Sequence, residues 1–199
     1  IDFFKTNQKY TTLRNLLKYV VDIERIIHSK QLHPHMVVNL ILSMQKIKEI
    51  YTFLQYDVSQ IDEFLSDMSK NINVNTSMKY NTNSIQENLF NPGIFPELDN
   101  ISEKICEIEE YFTQIEKDLS NYLRIELNDK EGLCIISTPK KYKELINKGH
   151  LFESCNTTKN NVKLYTKDTN ELNMKYVMLK KSLKEKTIQL FENFKNDIL

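Results

Sequence analysis

The chain has 199 residues, with 27 basic and 27 acidic side chains and a formal net charge of zero. Its hydrophobic fraction of 40% and its charged fraction of 27% are ordinary for a globular protein and give no sign of disorder. No run of about 18 apolar residues is present, so the sequence predicts no transmembrane helix. The N-terminus has no initiator Met and no secretory signal, and we expect a piece of a longer protein.

The composition is biased toward residues with AT-rich codons: there are 24 Lys, 21 Asn and 21 Ile, but no Trp. Lysine or asparagine abundance is therefore weak support for any function. The three cysteines, Cys106, Cys134 and Cys155, are odd in number and lack CxxC spacing. This pattern favours a reducing, intracellular compartment over a disulfide framework or a zinc site. It does not distinguish a nucleus, an organelle or a viral factory.

Apolar residues spaced by three and four predict three helices in the N-terminal half of the chain. They cover about residues 11–30, 34–55 and 58–68. The asparagine-rich stretch 71–84 has no sustained period, and we expect an exposed, mobile connection there. Turn residues then fill the segment 91–96.

The strongest periodic signal is an a/d seam over residues 98–122. It consists of Leu98, Ile101, Ile105, Ile108, Phe112, Ile115, Leu119 and Tyr122. A second seam near the C-terminus contains Leu172, Tyr176, Leu179, Leu183, Thr187, Leu190 and Phe194. Two readings are open, an intramolecular helix pair and an intermolecular coiled coil. The two seams lie in one chain and are separated by a segment without helical periodicity. This arrangement favours an antiparallel intramolecular pair.

Short β-prone runs at 123–127, 133–138 and 162–166 lie between the two seams, separated by turn residues. The predicted fold is therefore mainly α with a small β insertion. Long antiparallel helices would carry a short antiparallel sheet at their tip.

Charge is separated along this architecture. Residues 97–127 hold nine acidic and three basic side chains, whereas residues 137–167 hold seven lysines and only Glu144 and Glu153. The basic segment has two readings. It is either a solubilising surface or a surface for phosphates, with Lys ammonium groups and short polar side chains such as Thr157, Thr158 and Asn160 as donors.

No catalytic constellation is found. The chain has three glycines, no phosphate loop of the GxxxxGK[ST] type, and histidines without HExxH spacing. His33 and His35 flank Pro34, and a surface loop is the favoured reading over a metal site. Glu107, Glu109 and Glu110 fall off the apolar seam and are expected on a solvated helix face. We expect no catalytic residue, cofactor or metal in this chain.

Several short sequence motifs follow one another along the chain. They are DFF at 2–4, VDIERI at 21–26, LHP at 32–34, GIFPELD at 93–99, LRIE at 123–126, GLCIIST at 132–138, TTKN at 157–160, KLYT at 163–166 and EL at 171–172. Together they resemble the middle of the MutS family of DNA mismatch-recognition ATPases. Departures from the family pattern are Leu133 and Cys134 after Gly132, Lys163 in place of an arginine, and Glu126 in place of a glycine.

The resemblance implies lever or core helices over residues 1–122, a DNA-facing clamp insertion over 123–167 and a returning lever helix over 168–199. In the family, the clamp contacts duplex DNA phosphates without reading sequence. The ATPase, with its ATP and Mg, and the mismatch-reading domain lie outside this region, and a second MutS-like subunit is the expected partner. The residues matched to backbone contact are Lys159, Asn160 and Lys163, with Thr158, Lys140, Lys141 and Lys143 extending the surface.

Two functions are compatible with these features of the sequence. One is a non-catalytic DNA-backbone clamp and lever region of a MutS-like mismatch-repair ATPase, with no membrane partner. The alternative is a helical scaffold or coiled-coil interaction module whose basic tip is incidental.

Overall fold

The computed structural model describes residues 7–29, 31–155, 158 and 160–198. The chain divides into two compact units, one formed by Ile1–Pro96 with Lys186–Leu199 and the other by Glu97–Glu185. Helices dominate, and a four-stranded antiparallel sheet is inserted between them. The predicted fold class, mainly α with a small β insertion, is confirmed.

The first unit is built around a long central helix. Its elements are α1 (Asn7–Leu17), α2 (Ile23–Ile27), α3 (Pro34–Phe53), α4 (Ser59–Asn71), α5 (Val74–Ser77) and a 3₁₀ turn (Thr82–Ser84). Helix α3 packs against α1, α2, α4 and α5. Its Val37, Val38 and Ile41 are almost completely buried, so α3 carries the core of this unit. The helices predicted at 34–55 and 58–68 are confirmed within a few residues.

The single helix predicted over residues 11–30 is wrong, because the chain breaks between α1 and α2. Asp22 caps α2 by accepting a hydrogen bond from the Arg25 backbone N–H at 3.0 Å. The Val21 N–H donates to the Ser43 hydroxyl on α3 at 3.1 Å. These contacts satisfy backbone groups that a continuous helix would have used, and so they stabilise the break.

The exposed connection predicted over residues 71–84 is also corrected. Ile72 and Ser77 are buried, and α5 and the 3₁₀ turn occupy much of the stretch. Asn73 caps α5 through the Thr76 N–H, and the Asn91 amide donates to backbone carbonyls of Ser69, Lys70 and Ile72. The asparagines here satisfy backbone groups, which a search for apolar periodicity does not detect.

The second unit contains α6 (Pro96–Asp118), α7 (Pro139–Asn147) and the part of α8 (Lys167–Ile198) up to Glu185. Tyr176 of α8 donates to Glu109 of α6 at 2.9 Å, and Lys180 pairs with the same carboxylate at 3.4 Å. Thr169, nearer the start of α8, lines the same cavity as Phe112. Contacts therefore advance along α6 as they move back along α8, which confirms an antiparallel pair within this unit.

The two seams differ from their predicted patterns only at their ends. Helix α6 ends at Asp118, so Tyr122 lies in the turn that follows. On α8, Tyr176, Leu183 and Thr187 are buried as predicted, but Phe191 is fully buried in place of Leu190. A straight helix drifts relative to a strict seven-residue repeat, which moves the buried side chain by one position.

The sheet has the strand order β1-β2-β4-β3. Its strands are β1 (Leu123–Asn128), β2 (Gly132–Ser137), β3 (Glu153–Cys155) and β4 (Val162–Tyr165), and all neighbours are antiparallel. The runs predicted for β1, β2 and β4 are confirmed. Strand β3 and helix α7 were not predicted.

The β1–β2 turn is fixed to α8 by one side chain. The Asn173 side-chain oxygen accepts a hydrogen bond from the Leu133 N–H, and its amide nitrogen donates to the Glu131 carbonyl, both at 2.7 Å. Gly132, between these two residues, has φ +78°, and a Cβ there would lie 2.4 Å from the Asn173 oxygen. Glycine is therefore required by both the backbone conformation and the close approach of α8.

Candidate nucleic-acid interface

One end of the sheet collects the segments that carry most of the predicted site. Ser137 at the end of β2 lies opposite Leu123 of β1 and Val162 of β4. Helix α7 follows Ser137, and the β3–β4 loop immediately precedes Val162. Because β2 and β4 are antiparallel, α7 begins at the sheet end where this loop lies. We call this edge, with the start of α7 and the residues Thr158, Asn160 and Asn161, the loop end.

Helix α7 presents three of the predicted lysines at the loop end. The Thr138 hydroxyl accepts a hydrogen bond from the Lys141 N–H at 3.3 Å, and Pro139 occupies the first turn. Leu145 is fully buried and holds the apolar side of α7 in the unit. Lys140, Lys141 and Lys143 are consequently exposed, and within the described part of the chain none forms an ion pair.

The β3–β4 loop supplies short polar side chains at the same end. Thr158 and Asn161 close the loop, because the Asn161 N–H donates to the Thr158 hydroxyl at 3.0 Å and the Thr158 N–H donates to the Asn161 carbonyl at 2.8 Å. Thr158 and Asn160 are exposed. The predicted contact residue Lys159, and Thr157 beside it, lie outside the described residues.

A fourth lysine, just after α7, contacts the residue that precedes β1, although the sequence analysis did not identify it as a site residue. Lys148, just after α7, donates a hydrogen bond to the Tyr122 hydroxyl and lies 4.7 Å from the centroid of that ring. The hydrogen bond to Tyr122 raises the pKa of Lys148, so its ammonium stays charged. Tyr122 immediately precedes Leu123, so Lys148 contacts the residue that leads into the loop end. A lysine close to an aromatic residue 26 positions away leaves no local sequence signal.

Lys163 stands apart from these lysines. Its ammonium pairs with Glu131 in the β1–β2 turn, at the opposite end of β2, and its side chain is only 22% exposed. Lys163 is opposite Ile136, which in turn is opposite Arg124. Arg124 pairs with Glu126 at 2.6 Å. Both cations on this face therefore already have a carboxylate partner, and we call it the paired face.

A cavity of about 390 Å³ adjoins the paired face and contains Lys163, Glu131 and two thiols. Burial is the main cause that raises the pKa of Cys134, with Glu126 adding to it. A raised pKa keeps the thiol protonated, which makes it a poor nucleophile and a poor metal ligand. Cys155, the second thiol of the cavity, is likewise free. The cavity therefore offers no evident chemistry.

The remaining candidate groups are structural or solvated. The His33 and His35 rings stack at 5.6 Å, and their Nδ1 atoms contact Thr82 Oγ1 and the Tyr80 carbonyl. Cys106 on α6 is exposed, and the charge of Glu110 raises its pKa. Within residues 7–29, 31–155, 158 and 160–198, no group of three or more His, Cys, Asp or Glu side chains could hold a metal ion.

No helix in the described part of the chain is both long enough and apolar enough to cross a bilayer.

The comparisons with known proteins agree with the boundaries of the second unit. Residues 93–182 match a family model described as MutS family domain IV. The matched segment contains α6, the whole sheet, α7 and the first half of α8. Curated proteins gave no match. The segment 93–182, slightly less than half of the chain, is therefore similar to domain IV of the MutS family, and this similarity supports the predicted resemblance to that family of mismatch-repair proteins.

Proposed function

We propose that this chain binds the backbone of duplex DNA without reading base sequence. The loop end would make the contact, as the clamp of a MutS-like mismatch-repair protein. The observation that carries the proposal is the group of exposed lysines on α7, Lys140, Lys141 and Lys143, without carboxylate partners, within a segment that matches MutS domain IV.

The chemistry of the loop end suits phosphates better than bases. Each Lys ammonium is a point charge that can replace condensed counterions on DNA, and the Thr158 and Asn160 side chains can donate to phosphate oxygens. Bidentate recognition of guanine uses arginine most often, and the described part of the loop end contains none. Affinity should then depend on salt and hardly on sequence.

The wider roles of the chain belong to the same proposal. Residues 1–122 would form the lever or core, residues 123–167 the clamp and residues 168–199 the returning lever helix. The chain itself would be non-catalytic, and ATP and Mg would bind elsewhere in the longer protein, together with a second MutS-like subunit. Three free cysteines support an intracellular, reducing compartment.

A salt titration of duplex binding by fluorescence anisotropy tests the proposal. The variant Lys140→Glu/Lys141→Glu/Lys143→Glu should weaken binding to every duplex by a similar factor. It should also flatten the slope of log affinity against log salt by about three units, since each phosphate contact contributes roughly 0.9. Because a lysine ammonium contacts phosphate as a point charge, the affinities for AT-rich and GC-rich duplexes should differ little.

The matched control is Lys104→Glu/Lys130→Glu/Lys175→Glu, which reverses three exposed lysines of the same unit, in the middle of α6, in the β1–β2 turn and on α8 beside that turn. This control should keep most of the affinity. Equal losses from the two triple variants would mean diffuse charge attraction. No loss from the α7 variant would leave the scaffold or coiled-coil module as the better function.

A further inference from the structure

An open groove of the second unit is formed by the C-terminal half of α6, the loop that joins α7 to β3 and the start of α8. Its volume is about 610 Å³, within the range of roughly 300–1,000 Å³ that is typical of ligand sites. Most of its lining is apolar and is contributed by Tyr111, Ile115, Leu119, Leu151 and Phe152.

Two of these apolar side chains are well exposed to solvent. Leu151 is 89% exposed and Tyr111 is 42% exposed. A single exposed apolar side chain is ordinary on a protein surface. Here, however, both side chains line one concavity together with the partly buried Ile115 and Phe152. Contiguous apolar surface with a polar rim is typical of a site where another molecule binds.

The rim of the groove carries carboxylates. Asp118 at the end of α6 and Asp168 in the first turn of α8 both line it and are exposed. Asp118 accepts a hydrogen bond from the Gln114 amide at 2.7 Å, and within the described residues neither aspartate forms an ion pair. Against these two carboxylates, the described lining contributes Lys167 and His150.

The acidic surface continues along α6 beyond the groove. Glu107 lies one helical turn before Tyr111, and Glu110 immediately precedes it; both carboxylates are exposed. The charge of Glu110, with smaller contributions from Glu109 and Glu107, raises the pKa of the nearby Cys106 thiol. The groove therefore combines an apolar floor with a negative surrounding surface.

We propose that this groove docks a basic, amphipathic segment of a partner protein. Apolar side chains of the segment would contact Leu151 and Tyr111, as an amphipathic helix contacts a hydrophobic groove. Lysine or arginine side chains next to them would pair with Asp118 and Asp168. Opposite charges at the rim select the partner and fix its register, while the apolar contacts supply most of the affinity.

The charge of the rim argues against two other kinds of partner. Carboxylates repel the phosphates of a nucleic acid and the headgroups of anionic lipids. The groove also differs from the loop end in position, because Val162 at the loop end and Thr166 in the groove lie at the two ends of β4. Protein docking here is therefore independent of DNA binding by the loop end.

Anisotropy titration of the full chain with a fluorescein-labelled synthetic peptide tests this proposal. The probe is an amphipathic helical peptide of leucine and lysine, with the leucines at steps of three and four. We expect a dissociation constant in the tens of micromolar, because the groove is small. Two matched peptides, one with glutamate for lysine and one with serine for leucine, should bind about tenfold more weakly or worse, because each lacks one of the two complementary features.

Substitutions in the chain locate the binding. Leu151→Ser should weaken binding of the leucine–lysine peptide about tenfold, because it removes apolar contact without disturbing a buried group. The matched control Leu127→Ser, at a side chain 66% exposed on β1 and outside the groove, should leave the affinity unchanged. Circular dichroism should show both variants folded.

A second pair of variants tests the charged rim. Asp118→Asn/Asp168→Asn should weaken binding about fivefold at low salt and should reduce its salt dependence. The control Asp129→Asn/Glu185→Gln removes two exposed carboxylates of the same unit outside the groove and should change the affinity little.

Nuclear magnetic resonance titration with the leucine–lysine peptide gives an independent location. The amide signals of Leu151, Phe152 and Thr166 should shift as the peptide binds. A chain that does not bind the peptide at several hundred micromolar overturns the proposal. So does an equal loss from Leu127→Ser and Leu151→Ser, or a titration that shifts the amides of α6 near Glu107 and leaves that of Leu151 unmoved, since either result would mean diffuse charge attraction.

Discussion

The loop end and the paired face of the same small sheet differ in whether their cationic side chains have carboxylate partners. At the loop end, α7 holds Lys140, Lys141 and Lys143 in water without carboxylate partners. On the paired face, Lys163 and Arg124 have Glu131 and Glu126 as partners. A lysine without a carboxylate partner can exchange solvent and counterions for phosphate, whereas a paired lysine must first give up its carboxylate. Lysine content alone therefore does not locate a phosphate surface.

The largest expected effect comes from disrupting the buried contact that holds α7, and with it the exposed lysines of the loop end, in the second unit. Leu145→Asp places a charge at a fully buried position and should cost about 3–5 kcal/mol of unfolding free energy. The neighbouring Ile146→Asp, at a side chain 42% exposed, should cost much less. Thermal denaturation of both variants measures the difference. Equal destabilisation would mean that Leu145 does not anchor α7.

A similar contrast, between a polar side chain with a hydrogen-bond partner and one without, is found at two threonines of α8. Thr187 is fully buried, and its hydroxyl has no hydrogen-bond partner within the described residues. Thr187→Val keeps the shape and removes this cost, so it should stabilise the chain by about 1 kcal/mol. Thr169, also buried, accepts from the Thr166 N–H at 2.7 Å. Thr169→Val should destabilise by a similar amount in chemical denaturation, and a destabilised Thr187→Val would contradict the contrast.

Removing the carboxylate partner of Lys163 should raise the DNA affinity of the paired face. Glu131→Gln removes the carboxylate that neutralises this ammonium, so duplex affinity at low salt should rise about two- to fourfold. Lys163→Gln in the otherwise unchanged chain should alter affinity less than Lys141→Gln does. Anisotropy titrations at one salt concentration measure all three. A larger loss at Lys163 than at Lys141 would make the paired face the DNA surface.

The smallest expected effect concerns a half-buried tyrosine in the first unit, Tyr80. Burial, with Glu87 as hydrogen-bond acceptor at 2.7 Å, raises the pKa of Tyr80 to about 12 from 10. A pKa that is higher in the folded state contributes stability below pH 10, and this contribution is lost as the pH rises from about 10 to 12. The melting temperature should therefore fall slightly less over this range in Tyr80→Phe. Identical pH profiles would exclude a contribution from this pair.

Periodicity was enough to predict the main framework because apolar burial repeats along a helix. Leu98, Ile105, Ile108 and Phe112 are buried as their spacing predicts. Helix α7 was missed because it has only nine residues, three of them lysines, which is short for a helix prediction from apolar spacing. Thr138 and Pro139, a cap and a first-turn proline, were the available signal.

The division of the candidate site could not be predicted from local sequence. Lys163 and its partner Glu131 are 32 residues apart, and only the strand register together with the direction of the side chain brings them together. The proximity of Lys148 to Tyr122 depends on the same register. Charge counts predicted one basic segment, whereas the fold separates it into a paired and an unpaired surface.

The attachment of the β1–β2 turn by Asn173 has a consequence for hydrogen exchange. The Leu133 amide hydrogen is held by a helix side chain at 2.7 Å, so exchange with solvent requires the turn to separate from α8. The exchange rate of this amide should therefore report the local opening of the sheet from its helix. In Asn173→Ala the same amide loses its acceptor and should exchange faster, while the amides of α6 keep their protection.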